Sequence, residues 1–280
     1  MENSDVFLHT KTDTEKDNTN IALISAASKG NLASIQALLS ANADVNAKDG
    51  NGNTALMRAS ARGHVTCLQV LIDAKADVEA RNNDGITALM RVCMLGHTAC
   101  SQLLIDAKAS VNAEDVEKNS VLMLATAHGH FACAKLLIDN NADVHVQNEV
   151  SRTALILAAM YGYSECLQLL IDARADLEAK NNHGRTSLIL ATASGHTACV
   201  QLLIDAKTNV NATDVELNTA LMFASVNGHS ACLQLLIGAT ADIEAKNHQG
   251  KTALMLASAQ GHTECVQLLT ENRTDVLPSM

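Results

Sequence analysis

The chain has 280 residues, a formal charge of -10, a pI near 5.5 and only 2% aromatic residues, with no Trp. Phosphate backbones and anionic membrane surfaces attract concentrated Lys and Arg, so this acid excess speaks against nucleic acid and membrane partners. No apolar run approaches the roughly 18 residues of a membrane span, and a core without large rings has to come from Ala, Leu, Ile, Val, Met and Cys. Residues 1–15 are polar and charged and read as a disordered N-terminal tail. They lack the basic start and apolar stretch of a secretory leader, so the expected location is cytoplasmic, with the nucleus as the other compartment.

From residue 16 onward the same residue types return every 33 positions. Thr or Ser stands at Thr54, Thr87, Ser120, Thr153, Thr186, Thr219 and Thr252. Gly stands at Gly30, Gly63, Gly96, Gly129, Gly162, Gly195, Gly228 and Gly261. Length alone suggests two domains. A period of this size instead means a solenoid, in which each unit buries its core only against its neighbours. The reading is one continuous domain over 16–279, in units 16–48, 49–81, 82–114, 115–147, 148–180, 181–213, 214–246 and 247–279.

The first unit has Ile21 in the Thr slot and Ser34 where later units have Cys, as an end unit should. In the second, Thr54 caps a helix start with its hydroxyl. A short helix is predicted over 55–62, and Gly63 ends it in a left-handed conformation. His64 and Val65 open a second helix with Cys67, Leu68, Leu71 and Ile72 along one face. An extended segment then leads to the next Thr. The following units repeat this plan. A longer repeat is also visible, because Asp115-Val-Glu-Lys-Asn119 returns as Asp214-Val-Glu-Leu-Asn218. In the last unit Thr270, Glu271 and Asn272 replace Ile-Asp-Ala, which suits a solvent-facing end.

Residues 82–114, NNDGITALMRVCMLGHTACSQLLIDAKASVNAE, resemble the ankyrin repeat, and eight units in register carry the resemblance over 16–279. It implies an all-α ankyrin-repeat solenoid of stacked helix-turn-helix units joined by projecting β-hairpin-like loops. The family's Pro after Thr is absent here, and its His on the first helix is Met or Ile, as at Met57 and Ile156. The Gly that closes the second helix is replaced by Asn42, Lys75, Lys108, Asn141, Arg174, Lys207, Thr240 and Arg273. If the backbone there stays left-handed, each adds strain.

Seven of eight cysteines share one helical slot and read as small core residues, too far apart from unit to unit to form disulfides. Cys93 breaks the pattern, is placed on the concave side and keeps a redox role open. Six histidines follow the helix-separating Gly and read as structural hydrogen-bonders at the start of the second helix. No catalytic or phosphate-binding motif occurs, so the chain reads as a non-enzyme without cofactor or metal.

The resemblance implies a protein–protein interaction module, adaptor or inhibitor, that binds a protein partner on a concave face built from first helices and loop tips. The expected contact residues are those that break the period: Arg58, Arg62, Arg91, Met94, Leu95, His128, Arg152, Met160 and Tyr161. Met, Tyr and Arg suit the centre of a protein interface. A monomer is expected. Other readings stay open on the sequence: a substrate of asparaginyl hydroxylase, with Asn46, Asn112 and Asn211 in the place the resemblance implies; a structural spacer; and a microbial effector that mimics a host adaptor.

Overall fold

A computed structural model describes the backbone of residues 3–274 and the side chains of 16–273. The tail expected over 1–15 therefore lies outside the residues described with side chains. The chain divides into two compact units, Met1–Ala142 and Asp143–Met280.

In the first unit the helices are α1 (Asn3–Lys29), α2 (Leu32–Ser40), α3 (Ala55–Ser60), α4 (Val65–Asp73), α5 (Ala88–Met94), α6 (Thr98–Asp106), α7 (Val121–Ala127) and α8 (Phe131–Asp139). Inner helices α1, α3, α5 and α7 stack in one row and outer helices α2, α4, α6 and α8 in a second. The second unit repeats the plan. Its inner row is α9 (Ala154–Tyr161), α11 (Ser187–Ala193), α13 (Ala220–Asn227) and α15 (Ala253–Gln260). Its outer row is α10 (Ser164–Asp172), α12 (Thr197–Asp205), α14 (Ser230–Gly238) and α16 (Thr263–Thr274). This is the helical solenoid expected from the 33-residue beat.

Local chemistry sets each element. Thr54, Thr87, Thr153, Thr186, Thr219 and Thr252 all cap inner helices, each hydroxyl accepting from the backbone N–H three residues on, and Ser120 does the same. Inner helices of six to eight residues are too short to persist alone. They hold because most of their side chains are buried, as with Leu155, Ile156, Ala158 and Ala159 in α9; the terminal α15 buries only Ala253 and Ala257. On the outer helices, Cys67, Leu68 and Leu71 and their equivalents form the buried stripe, while Ile72 is only half-buried. The exposed faces carry Gln–Asp pairs at i,i+4, such as Gln69–Asp73 and Gln168–Asp172.

Between units of the repeat, loops are tied tip to tip. Asn83 N–H donates to Asn51 C=O at 3.1 Å, and Val215 N–H to His183 C=O at 3.1 Å. Each loop is turned by one Asp or Asn whose side-chain oxygen accepts two backbone N–H groups. Asp49 serves Asn51 and Asn53, and Asn181 serves His183 and Arg185.

The residues in place of the helix-closing Gly do adopt the left-handed backbone, from Asn42 at φ 61° to Lys108 at φ 71°. Arg273 departs from this expectation, because it lies inside α16, which runs on to Thr274. Three loop tips also carry left-handed residues where other repeats have Gly: Lys118, Ser151 and Leu217.

The histidines correct the sequence reading. None caps its own outer helix. Each instead faces the preceding repeat. His130 Nε2 lies 3.0 Å from the Met94 carbonyl and His196 Nε2 lies 3.2 Å from the Met160 carbonyl. A carbonyl can only accept, so Nε2 carries the proton. The ring also covers the glycine of that preceding repeat. A Cβ on Gly96 would sit 2.6 Å from His130 Nδ1, on top of its left-handed φ of 73°. Gly96→Ala should therefore cost more than about 2 kcal/mol, but only about 1 kcal/mol in a His130→Ala background, where the strain of a left-handed alanine remains alone. A double-mutant cycle on denaturation midpoints measures the difference, and equal costs in both backgrounds would remove the ring from the account.

Four inner-helix hydroxyls are buried with no partner among the described residues: Ser60, Ser187, Thr192 and Ser225. Ser60, Thr192 and Ser225 share a register position with Ala159, so that slot accepts a methyl group. Ser225→Ala should raise stability by about 1 kcal/mol by removing an unsatisfied hydroxyl. A lowered urea midpoint would show that the hydroxyl is bonded in solution.

Candidate functional site

The inner helices and the loop tips in front of them form a surface in each unit. The residues expected at a binding site are divided between the two units. Arg58, Arg62, Arg91, Met94, Leu95 and His128 belong to the first, and Arg152, Met160 and Tyr161 to the second.

In the first unit, Arg62 is exposed and Leu95 is 46% exposed at the end of α5, with half-buried Met94 beside it. Arg58 is not free to act as a contact. Its Nε donates to Asp49 Oδ2 at 2.9 Å and its Nη2 binds the same oxygen. The same loop aspartate that turns the chain holds this guanidinium, and with Arg58 as its first charge partner the carboxyl lies below the usual carboxylate range despite burial. Arg91, one repeat on, is half-buried. His128 folds back on its own helix, donating from Nδ1 to the Leu124 carbonyl at 2.8 Å, and its ring stacks on His130.

In the second unit, Tyr161 is 48% exposed and lies near Tyr163, with ring centroids 6.4 Å apart. Met160 packs against the buried Ile156, Ala179 and Leu190. Arg152 is half-buried, and its Nε has no partner among the described residues.

The second unit has an open cleft of about 330 Å³ between loop tips and inner helices. Its apolar wall is Phe223, Val226 and Leu256, and Arg185, Glu216 and His248 stand at its rim. The Arg185 guanidinium lies 4.7 Å over the Phe223 ring, and its Nε is 3.5 Å from the buried Asp214 carboxylate. Phe223 was missed although the signal was present. It occupies the register position of Arg58 and Arg91, which is Leu at 124, 157, 190 and 256.

The asparagines considered as modification sites are structural links. Asn46 Oδ1 accepts from Asp77 N–H at 2.8 Å, and Asn211 Oδ1 from Asp242 N–H at 2.8 Å. Asn112 is engaged as well. Glu79 and Glu178 do the same work with carboxylates, each accepting at 2.7 Å from the next repeat's backbone.

Cys93 does not face the concave side; it is fully buried. Ser101 Oγ lies 3.6 Å from its sulfur and 3.6 Å from that of Cys133, so the two thiols interact beside one hydroxyl. The Cys133 interaction, then burial, holds Cys93 well above the usual thiol range. Cys133 is drawn down to about 6, first by the bond from Cys93, against burial and with help from Thr98 and Ser101. Cys199, without such a partner, is pushed up by burial to about 11. Thiolate absorbance at 240 nm should therefore rise near pH 6 in the native chain. In Cys93→Ala that step should move above the ordinary thiol range, because desolvation then acts with less opposition. An unchanged step would assign it elsewhere.

Among the described residues, no three His, Cys, Asp or Glu side chains are grouped to hold a metal ion, and no helix is long and apolar enough to cross a membrane. A family model described as ankyrin repeats (3 copies) matches residues 74–148, 137–214 and 208–279. A second, described as ankyrin repeats (many copies), matches residues 23–72. No curated protein sequence matches the chain.

Proposed function

The chain belongs to the ankyrin-repeat family, and on that premise we propose that it is a non-catalytic module that docks a protein partner on the surface of inner helices and loop tips. Ankyrin repeats are in general protein–protein interaction modules and in general not catalytic. One observation carries the choice of face. The chemically capable side chains at periodic positions are committed to stacking, whereas Leu95 and Tyr161 expose apolar surface at inner-helix ends where the period is broken. Leaving such side chains in water has a cost that a partner recovers by covering them. A preformed surface also binds with little ordering entropy.

The opposite, outer-helix face gives the control. Four of its helices carry a Gln bonded to an Asp one turn on, as in Gln102–Asp106 and Gln201–Asp205. Capture of the cellular partner by the intact chain should fall about tenfold or more in a Leu95→Ser/Tyr161→Ser variant, the scale of a hot-spot loss. It should hold in an Asp106→Asn/Asp205→Asn variant. Quantitative pull-down with both proteins checked by circular dichroism decides it. Loss confined to the outer-face variant would reverse the assignment.

A further inference from the structure

The loop turn contains a switch that frees particular side chains. Where the turning residue is Asp, the residue four positions on is Asn and is held by it. Asn53 Nδ2 donates to Asp49 at 3.3 Å, Asn119 Nδ2 to Asp115 at 2.9 Å and Asn218 Nδ2 to Asp214 at 3.4 Å. Where the turning residue is Asn, its side chain has only one acceptor oxygen, which the two backbone N–H groups occupy. Its own Nδ2 then points to the preceding repeat, as Asn82 does to Asn53 and Asn247 to Asn218. The fourth residue is thereby released from the turn. In these repeats it is Ile86, Arg152, Arg185 or Lys251.

In the first unit this register position holds Asn53, Ile86 and Asn119, all uncharged. In the second it holds Arg152, Arg185, Asn218 and Lys251, three cations in a unit where acids outnumber bases. Two further facts mark these cations as available. Arg152 Nε is buried without a partner. Arg185 lies over Phe223 and meets Asp214 through Nε at 3.5 Å, which leaves its two terminal nitrogens for a carboxylate. Beside that row lies the apolar wall of Phe223, Val226 and Leu256.

Building on the protein-binding reading, we propose that the second unit's groove recognises an extended acidic peptide segment, with carboxylates on Arg152 and Arg185 and an apolar side chain in the Phe223 cleft. Stacked repeats place equivalent residues about 10 Å apart, the span of three extended residues at about 3.3 Å each. The recognised pattern is therefore acid-x-x-acid-x-x-apolar, with the apolar residue at the Asn218 position beside Phe223.

Fluorescein-labelled peptides with a Glu-Ser-Ser-Glu-Ser-Ser-Leu core test this on the full chain by anisotropy. The controls replace both Glu by Lys, both Glu by Gln, or move the second Glu by one residue. The Glu peptide should bind at least about tenfold tighter than each control, the effect of a charge-assisted hydrogen bond. Arg152→Gln/Arg185→Gln should reduce its affinity by a further factor of about ten or more, and Phe223→Ala should erase any gain from Leu over Ser. Circular dichroism confirms the fold of each variant. Equal binding of the Lys peptide, indifference to the arginine substitutions, or no peptide binding overturns the proposal. A cellular partner lost by Leu95→Ser/Tyr161→Ser but kept by Arg152→Gln/Arg185→Gln leaves the protein-binding reading standing and ends this one.

Discussion

Within each unit the structure depends on one contact repeated between neighbours, the ring of a histidine laid on the bare Cα of the glycine in the repeat before it. Gly30–His64, Gly63–His97 and Gly96–His130 make it in the first unit, and Gly162–His196, Gly195–His229 and Gly228–His262 in the second. Each ring closes the gap between two short helices that have no core of their own. Where the Nε2 bond is formed, as at His229 to Ala193, the ring also satisfies a carbonyl at the end of an inner helix that no intrahelical N–H can reach. Glycine is demanded here twice, by the left-handed turn and by the approach of the ring.

This contact gives the most conspicuous periodic residues a structural role. A histidine whose Nε2 proton faces a backbone carbonyl and whose ring covers a glycine is fixed in the stack between repeats. The same holds for the capping threonines and the asparagines of the lower turn, whose side-chain oxygens already receive backbone N–H groups. Stability in such an array is a sum of repeats and interfaces. It can therefore absorb scattered defects. Among the described residues, ten non-glycine residues with positive φ, Thr240 and Leu217 among them, are spread over loops and helix ends rather than gathered at one place.

Helix pairs, caps and buried stripes were legible because each is fixed by residues three or four apart within one repeat. Thr54 to Met57 and Cys67 to Leu71 are of that kind. The histidine contact was not legible in its true direction, since it joins residues 34 or more positions apart and a reading of one repeat assigns the ring to its own helix. Distance in sequence also hid the pairing of Cys93 with Cys133 and the capture of Arg58 by Asp49. The expected contacts were chosen as departures from the period, but only from some slots. Phe223 was overlooked in the very slot where Arg58 and Arg91 were noticed, because a comparison of neighbouring repeats does not reach that far along the chain.

Periodic scaffolding leaves a narrow freedom, and the loop turn shows how it is used. Asp and Asn turn the chain equally well, since both offer one oxygen to two N–H groups. They differ in what they do to the residue four positions on: Asp115 and Asp214 hold its amide with the second carboxylate oxygen, which an Asn lacks, whereas Asp49 holds Asn53 with the turning oxygen itself and gives the second to Arg58. A change of one atom type in the turn thus converts a scaffold position into a free one without altering the fold. Arg185 shows the consequence. Released from Asn181, it settles on Phe223 of the next repeat, and two irregular residues 38 positions apart come to share one wall of a cleft. Specificity in this chain is therefore written across repeats, in pairs of departures that meet, rather than within any one of them.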